Sequence, residues 1–593
     1  MKNVFIRLML VVCATMQSQI TEKNYDYFVQ YNGPELSKKI TPKAFFEHPF
    51  ITNYASKNPD QNLQKYADLI LFDKNITMQG SFRDQKPYYL ITIPVKSKAQ
   101  VQAFLLQLHA KDSSQTAAPN IEDFGDYALY HSKEQGQTIA FDDKYMVIYK
   151  ITKKYSDRAY PATEEVFEKV EELEENYPDT EADSIEITPS SEDTFEDQIQ
   201  DPYAPEILLA KAQWDSLQIV QQRQDLQAWF KNGFVAPKSS KINASAAIAT
   251  WIDYNAALTS LGSFYSLSKI MSNNNLFSKE SAMLRMVKGV QVDFYLENDH
   301  ARVEEIIEYA PEMAKIMRKI TNRKNNKNSY RYFPNTQPLA SMNYSINTKE
   351  ALANLPKITS DLFKETPQWG QEVALVTDLI STIVDEKATA TLFDGDLNLF
   401  LYNFENREIT TTSYQYDANY EEIETQKTST KSIPLFAAIF TSTHPSFGDK
   451  LLQLGVRKNL LEEQDGYYEI RNTEKMGDLF LIKDHDVVVI ANTMEYFSGS
   501  KKSSYTKGLK KELRKYYFQG KIDFITLAKQ YAEATNLQTN TKEINLFTEN
   551  FKDIRLYSSR KMPHNKLRFT AKINTNSTDK NVLLQVLDVL EKL

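Results

Sequence analysis

Apolar residues in this chain fall into short alternating runs separated by stretches of helical spacing, and the two patterns recur in one order. The clearest instance is Pro434 to Asn492. It opens with the apolar run Leu435-Phe436-Ala437-Ala438-Ile439-Phe440 and turns at Thr443, Pro445 and Ser446. A helical pattern follows around Leu451-Leu452-Gln453-Leu454. The unit closes with strand-like runs at Tyr467–Ile470, Leu479–Ile482 and Val487–Ile490, the last two joined by a turn at Lys483-Asp484-His485-Asp486. Strand, helix, then strands predicts a small α+β module.

The same order appears near the N-terminus. Tyr89 to Ile93 reads as a strand, and Ser97 with Gln100 as a capping box, in which a hydroxyl satisfies an otherwise orphaned helix amide. Leu105-Leu106-Gln107-Leu108 repeats the later tetrapeptide, and strand-like runs follow at Tyr127–Tyr130, Thr138–Phe141 and Tyr145–Tyr149. A truncated echo lies at the C-terminus, where Leu567, Phe569, Ala571 and Ile573 alternate before Leu583-Leu584-Gln585-Val586. A further candidate is Val290 to Phe294 leading to Val303, Ile306 and Ile307. Such self-similarity is the mark of repeated units, with generic strand–helix patterning as the alternative. The fold class expected is α+β: repeated units of antiparallel strands with helices packed on one face.

The remaining pattern fills in the chain. Tyr25 to Tyr31 alternates like a strand and stops at the turn signal Asn32-Gly33-Pro34. Ile76–Phe82 and Tyr88–Val95 predict a hairpin, as do Met283–Phe294 and, at the C-terminus, Ile554–Tyr557 with Leu567–Ile573. From Pro205 a long amphipathic helix is predicted on the stripe Ile207, Leu208, Trp214, Leu217, Val220, Leu226 and Trp229. Ala246 to Ile252 reads as a strand, and Glu304 to Lys319 as a helix. Thr389–Phe393 and Leu397–Phe404 read as a hairpin across Asp394-Gly395-Asp396, since Asp-Gly suits a tight turn that needs positive φ. The domain boundaries expected are a leader at 1–19, a first α+β unit at 24–152, an acidic linker at 153–204, a central helical and α+β region at 205–385, and C-terminal α+β units at 386–593.

Composition changes this picture in three places. The 593 residues include only 16 glycines and no Gly-x-Gly, so nucleotide binding through a Walker or Rossmann loop is not expected. The net charge of −8 is unevenly spread: Glu164 to Asp201 holds 16 acidic residues against one basic, Lys169, leaving 69 basic against 62 acidic elsewhere. That acidic stretch has no glycine and no Asp-x-Asp-x-Asp, so a solvated linker is expected there rather than a calcium loop. The N-terminus reads as an export signal, with Lys2 and Arg7 flanking the apolar Leu8–Ala14. Cys13, the single cysteine, is the candidate for lipid attachment, although Val12 precedes it where a lipid box has a small residue. Export to the periplasm, the outer membrane or the medium is the localisation expected.

Catalytic signatures are sparse. None of the seven histidines pairs in the zinc-protease spacing, and no Gly-x-Ser-x-Gly occurs. Asp394 and Asp396 are the candidate metal ligands, and His485 between Asp484 and Asp486 is the nearest approach to an acid–base cluster, with a turn as the plainer reading. No cofactor is implied. Two basic stretches stand out: Lys315, Arg318, Lys319, Arg323, Lys324, Lys327 and Arg331; and Lys501, Lys502, Lys507, Lys510, Lys511, Arg514 and Lys515. With nearby tyrosines they could hold an anionic surface, and otherwise serve as a solvated face.

Several stretches together resemble a family of uncharacterised exported proteins of Bacteroidetes, many of them lipid-anchored. They are Tyr27–Gly33, Ile248–Tyr254 with Trp251, Tyr332-Phe333-Pro334 before Ala340–Asn347, Phe393–Leu397, and Leu567–Leu593. The family is a domain of unknown function with no established catalytic residues, so the resemblance implies export and carries no site over. The function expected is a non-enzymatic binding or scaffold role, with another envelope protein or a surface polymer as partner. Peripheral membrane contact is a further expectation; nucleic acid is not. The alternative is a hydrolase of the cell envelope or secreted fraction that uses carboxylates brought together by the fold.

Overall fold

The computed structural model describes residues 25–57, 64–82, 87–111, 121–132, 136–152, 205–261, 286–363, 372, 375–377, 379, 385–416, 422–473, 477–499, 503–535 and 541–593. The expected leader with Cys13, the acidic linker at 153–204, and Lys501 and Lys502 lie outside them. No helix among the described residues is long and apolar enough to cross a membrane.

The elements follow one order four times. First come β1 (Tyr27–Tyr31), a run of short helices, β2 (Ile76–Ser81), β3 (Tyr88–Pro94) and α1 (Lys98–Lys111). This quarter is extended by β4 (Ile121–Asp123), β5 (Ala128–Ser132), β6 (Gln137–Phe141), β7 (Tyr145–Ile151) and α2 (Pro205–Lys231). The second quarter is β8 (Ile248–Asp253), α3 (Tyr254–Leu261), β9 (Val287–Leu296), β10 (His300–Tyr309) and α4 (Pro311–Thr321). The third is β11 (Ala340–Ser345), α5 (Thr348–Phe363), α6 (Glu386–Leu392), β12 (Asp396–Tyr416), β13 (Glu422–Thr441) and α7 (Phe447–Arg457). Like the first, it is extended, by β14 (Leu461–Glu463), β15 (Tyr468–Ile470), β16 (Leu479–Asp484), β17 (Val487–Ala491) and α8 (Ser504–Leu513). The fourth is β18 (Tyr516–Asp523), α9 (Phe524–Thr535), α10 (Thr541–Asn550), β19 (Phe551–Ser559), β20 (Lys566–Thr575) and α11 (Val582–Lys592).

The chain divides into two compact units, one of 1–26, 69–71 and 76–239, the other of 27–68, 72–75 and 240–593. These bounds depart from those drawn on the sequence: α2 groups with the first unit, and most of 27–75 with the second.

In the first unit the antiparallel order is β2–β3–β7–β6–β5–β4. Alternate side chains feed two cores. Val101 and Leu105 of α1 pack with Ala128, Ile139, Phe141 and Met146. Leu226 and Phe230 of α2 pack with Leu129, Ala140, Val147 and Tyr149. This sheet therefore carries a helix on each face, where helices on one face were expected. The long helix forms as predicted but presents a different stripe: Gln218, Gln222, Leu226 and Phe230 are buried, while Leu217 and Val220 are exposed. Gln222 is fully buried because Thr138 donates to its Oε1 at 3.0 Å and its Nε2 donates to the Gly136 carbonyl at 3.3 Å. Satisfying a buried amide in this way removes most of the cost of burying it.

The second unit contains one antiparallel run of fourteen strands: β1–β8–β9–β10–β20–β19–β18–β11–β12–β13–β17–β16–β15–β14. The second and fourth quarters meet third strand to third strand, β10 on β20, and the fourth and third meet first to first, β18 on β11. In both extended quarters the last strand of the meander returns to pair with the strand before the helix, β7 on β3 and β17 on β13. The two Leu-Leu-Gln-Leu tetrapeptides fall in α1 and α7, the corresponding helices.

Three expected elements differ. Val303, Ile306 and Ile307 lie in β10, not in a helix, which begins only at Pro311. Apolar residues spaced by three and four suit both structures. Pairing on both edges, with β9 and β20, decides for strand. Thr389–Phe393 is not a strand, since Glu386–Leu392 is helical. Asp385 caps that helix by accepting from the Lys387 and Ala388 amides, and the cap outweighs the β-branched threonines. Gly395, at φ 109°, then turns the chain into β12. Of the hairpin expected over 283–294, the described part from Val287 is a single strand: β9 runs on to Leu296 and pairs with β10.

Candidate functional site

The central strands of the second unit bury their polar face. Asp293, Glu304, Asn343, Asn398, Gln519, Asp553 and Thr570 are all buried, while Phe294, Met342 and Ile573, which point to the other face, are more than a third exposed. Register explains how these polar groups are satisfied. Asn343 lies opposite Gln519 on one side and Asn398 on the other. Gln519 donates to Asn343 at 3.2 Å, and Asn343 to Asn398 at 3.0 Å, giving an amide ladder across three strands.

Two residues along the same face, register aligns four cations on neighbouring strands. Arg302 faces Lys572, Lys572 faces Arg555, and Arg555 faces Lys521. Like charges directly opposed on adjacent strands are destabilising, so such a row needs anions. Glu304 supplies one: Arg302 donates to it along its own strand, and Arg568 approaches it at 3.4 Å. Asp553 supplies the other, reached by Arg555 at 3.3 and 3.4 Å and by Lys521 at 3.9 Å, with Asn574 also donating to it.

A cavity of about 660 Å³ opens over three of these cations, Lys572, Arg555 and Lys521, within the range of ligand sites. Lys521, Lys552, Arg555 and Lys572 line it, against the carboxylates of Asp299, Glu512 and Asp553. Asp299 is engaged by His300 Nδ1 at 2.7 Å. Burial acts to raise the Asp553 pKa, but the bonds from Asn574 and Arg555 and the charges of Arg555 and Lys521 outweigh it, so this carboxyl titrates below its ordinary range. Burial pulls Lys521 down, with the Asp553 charge opposing. Burial pushes Tyr505, also in the wall, up to about 12. Tyr516 and Tyr557 complete the wall, their rings 4.8 Å apart and inclined at 47°.

One carboxyl on this face is raised. Asp293 is fully buried, and its pKa is pushed up to about 6 by burial, with the Gln291 hydrogen bond opposing and the charge of Glu304, its cross-strand neighbour, adding to the rise. It does not line the cavity. The folded state holds the Asp293 proton up to about pH 6, whereas an unfolded aspartate loses it near 3.8. This contribution to stability is therefore complete below about pH 4 and lost as pH rises through 6, on the order of 2 to 3 kcal/mol. Asp293→Asn is expected to gain on the wild type by that amount between pH 4 and 7, as read from urea midpoints. A difference that does not change with pH would contradict the assignment.

The residues singled out on sequence lie elsewhere. Arg323 binds both candidate metal ligands, Asp394 through Nη1 and Nη2 at 3.1 and 2.8 Å and Asp396 through Nε at 3.0 Å. No group of three or more His, Cys, Asp or Glu among the described residues is arranged to hold a metal ion. His485 sits in the expected turn at φ 54°, its Nδ1 2.8 Å from Asp484. Tyr332 donates to Asp484 at 2.7 Å and Arg331 reaches it at 2.6 Å, while Asn328 donates to Asp486 at 3.0 Å. The segment from Arg323 to Tyr332 is thus pinned by four aspartates, and part of the first basic stretch is spent inside the fold. No family model, no curated protein and no solved structure matches the chain.

Proposed function

We propose that this is a non-enzymatic binding protein of the cell envelope or the exported fraction, and that the cavity over β18, β19 and β20 takes an anionic group of its ligand. The row Arg302–Lys572–Arg555–Lys521 carries this reading. Glu304 and Asp553 serve this row and Arg568 as well, while Asp299 bears on Lys572, and Glu512 and Asp523 on Lys521. An incoming anion would relieve the remaining repulsion, and a carboxylate or phosphate on Arg555 would gain a charge-assisted hydrogen bond. Arg555 is half-exposed and holds Asp553 only at long distance, so it can turn to a ligand.

The hydrolase alternative asks for a carboxyl of raised pKa in a cleft, able to protonate a leaving group. Asp553 in the cavity is shifted the other way, and Asp293, the raised one, is buried outside it. Binding is therefore the reading we adopt.

The test uses surface plasmon resonance with immobilised dextran sulfate and neutral dextran. The protein is expected to bind the sulfated polymer and not the neutral one, with affinity falling as salt is raised. Arg555→Ser with Lys572→Ser is expected to weaken binding at least about tenfold, roughly 1.4 kcal/mol. Equal binding of neutral dextran, or an unchanged affinity in the double variant, would sink the proposal.

A further inference from the structure

We infer that the anionic group belongs to an acidic sugar, so that the ligand at this cavity is a stretch of carboxylated polysaccharide. The inference rests on the anion-binding reading above and adds to it the identity of what carries the charge. A bare oxyanion needs cations and N–H donors only, and has no use for aromatic walls or a cavity of about 660 Å³. Tyr516 and Tyr557 line that cavity beside the cations. Their ring centroids stand 4.8 Å apart at 47°, so the two phenols form one tilted aromatic pair in the wall. A pyranose ring presents a face of C–H bonds that packs on a phenol ring, while its rim carries hydroxyls.

Hydroxyl partners are present in the same wall. Gln337, Gln519 and Asn574 line it. Gln337 gives one N–H to Asp523, Gln519 one to Asn343 and Asn574 one to Asp553. Each primary amide offers two N–H donors and a carbonyl acceptor, so each has capacity left for a hydroxyl. Tyr505, half-buried and with its pKa pushed up to about 12, remains a neutral phenol that can donate at any physiological pH. Cation, phenol faces and amides within one cavity match the three parts of a uronic acid: carboxylate, ring face and hydroxyl rim. A phosphate chain would engage only the first, and an acidic peptide lacks the rigid C–H face.

The test compares galacturonic acid trimer, inorganic tripolyphosphate and the neutral galactose trimer by isothermal titration calorimetry on the full chain. The galacturonate trimer is expected to bind more tightly than either. Tyr557→Ala should lower its affinity roughly three- to tenfold, the worth of an aromatic packing contact, leave tripolyphosphate unchanged, and be rescued by Tyr557→Phe. Saturation-transfer NMR on the unaltered protein should put the strongest enhancements on the sugar's ring C–H protons, a readout that does not depend on how the variant folds. Tripolyphosphate binding as tightly as the galacturonate trimer, with no enhancement on ring protons, would overturn the sugar assignment and leave anion binding standing. Binding of neither anion would overturn both.

Discussion

Asp396→Ala is expected to destabilise the second unit by about 3 to 5 kcal/mol, the cost of removing one partner from a buried ion pair. Asp396 is almost wholly buried, and Arg323 nearly so. Both carboxylate oxygens are committed. Oδ1 accepts from Arg323 Nε and from the Ser345 hydroxyl, and Oδ2 from the Asn326 amide. Without the carboxylate, the Ser345 hydroxyl and the Asn326 backbone N–H lose their acceptor together, and Arg323 keeps only its bonds to the more exposed Asp394. Asp394 cannot stand in, because Gly395 at φ 109° sets it on a different approach, and it is a third exposed. Asp394→Ala should accordingly cost only about 1 kcal/mol, as a more solvated ion pair does. The double variant Asp396→Leu with Arg323→Met should recover more than 1 kcal/mol relative to Asp396→Ala, since it removes the buried guanidinium along with its partner and leaves only Asp394, which is a third exposed, without Arg323. Urea unfolding of the four proteins decides this. An Asp396→Ala midpoint within about 1 kcal/mol of the wild type would show that the aspartate is not the anchor of the 323–332 segment.

The Asp-Gly-Asp sequence shows how far the chain could be read. The hairpin expected across it does not form, since Glu386–Leu392 is helical, but the positive φ expected of Gly395 is there. The partner of its aspartates was not legible, because Arg323 lies 71 residues earlier in a loop and no periodicity relates the two. The same holds for the cation row. Leu567, Phe569, Ala571 and Ile573 announce strand β20 by their alternation, and an apolar alternation is ordinarily taken as the buried side. Here the intervening positions matter: Arg568, Thr570, Lys572 and Asn574 face the ladder and the cavity, and Ile573 is the exposed one. Arg302, Lys521, Arg555 and Lys572 each supply a single charge to a separate strand, so only register brings them together. Helix α2 repeats the lesson, burying Gln218 and Gln222 where the apolar stripe pointed to Leu217 and Val220. What the sequence carried well was order. Strand, capped helix and meander are local patterns, and the hydroxyl of Ser97 does accept from the Gln100 amide, at 3.3 Å, as the capping motif requires.

Arg560 should be the other costly position, with Arg560→Met expected to destabilise the second unit by about 3 to 4 kcal/mol. The side chain lies where two helices and a strand end. Its Nε donates to the carbonyl of Leu513, the last residue of α8, at 3.1 Å. Its Nη1 donates to the carbonyl of Thr321, the last residue of α4, at 3.0 Å, and to that of Ser345, the last of β11, at 3.3 Å. Its Nη2 donates to Asn325 Oδ1 at 3.2 Å. Carbonyls at a helix C-terminus have no partner within the helix, and they carry the negative end of its dipole. One guanidinium therefore serves two helix ends at once, with the charge of Asp396 nearby offsetting the burial that lowers its own pKa. Methionine keeps the bulk and takes the guanidinium from the carbonyls of Leu513 and Ser345, each worth about 1 to 3 kcal/mol if kept from water, while the Thr321 carbonyl keeps the Arg323 N–H at 3.1 Å. Arg560→Lys should recover little, because a single ammonium cannot reproduce the planar fork that reaches three directions. Denaturant unfolding gives the magnitude, and hydrogen exchange should show faster opening at the C-terminal turns of α4 and α8. A lysine variant as stable as the wild type would mean that the charge at this position matters and the fork does not.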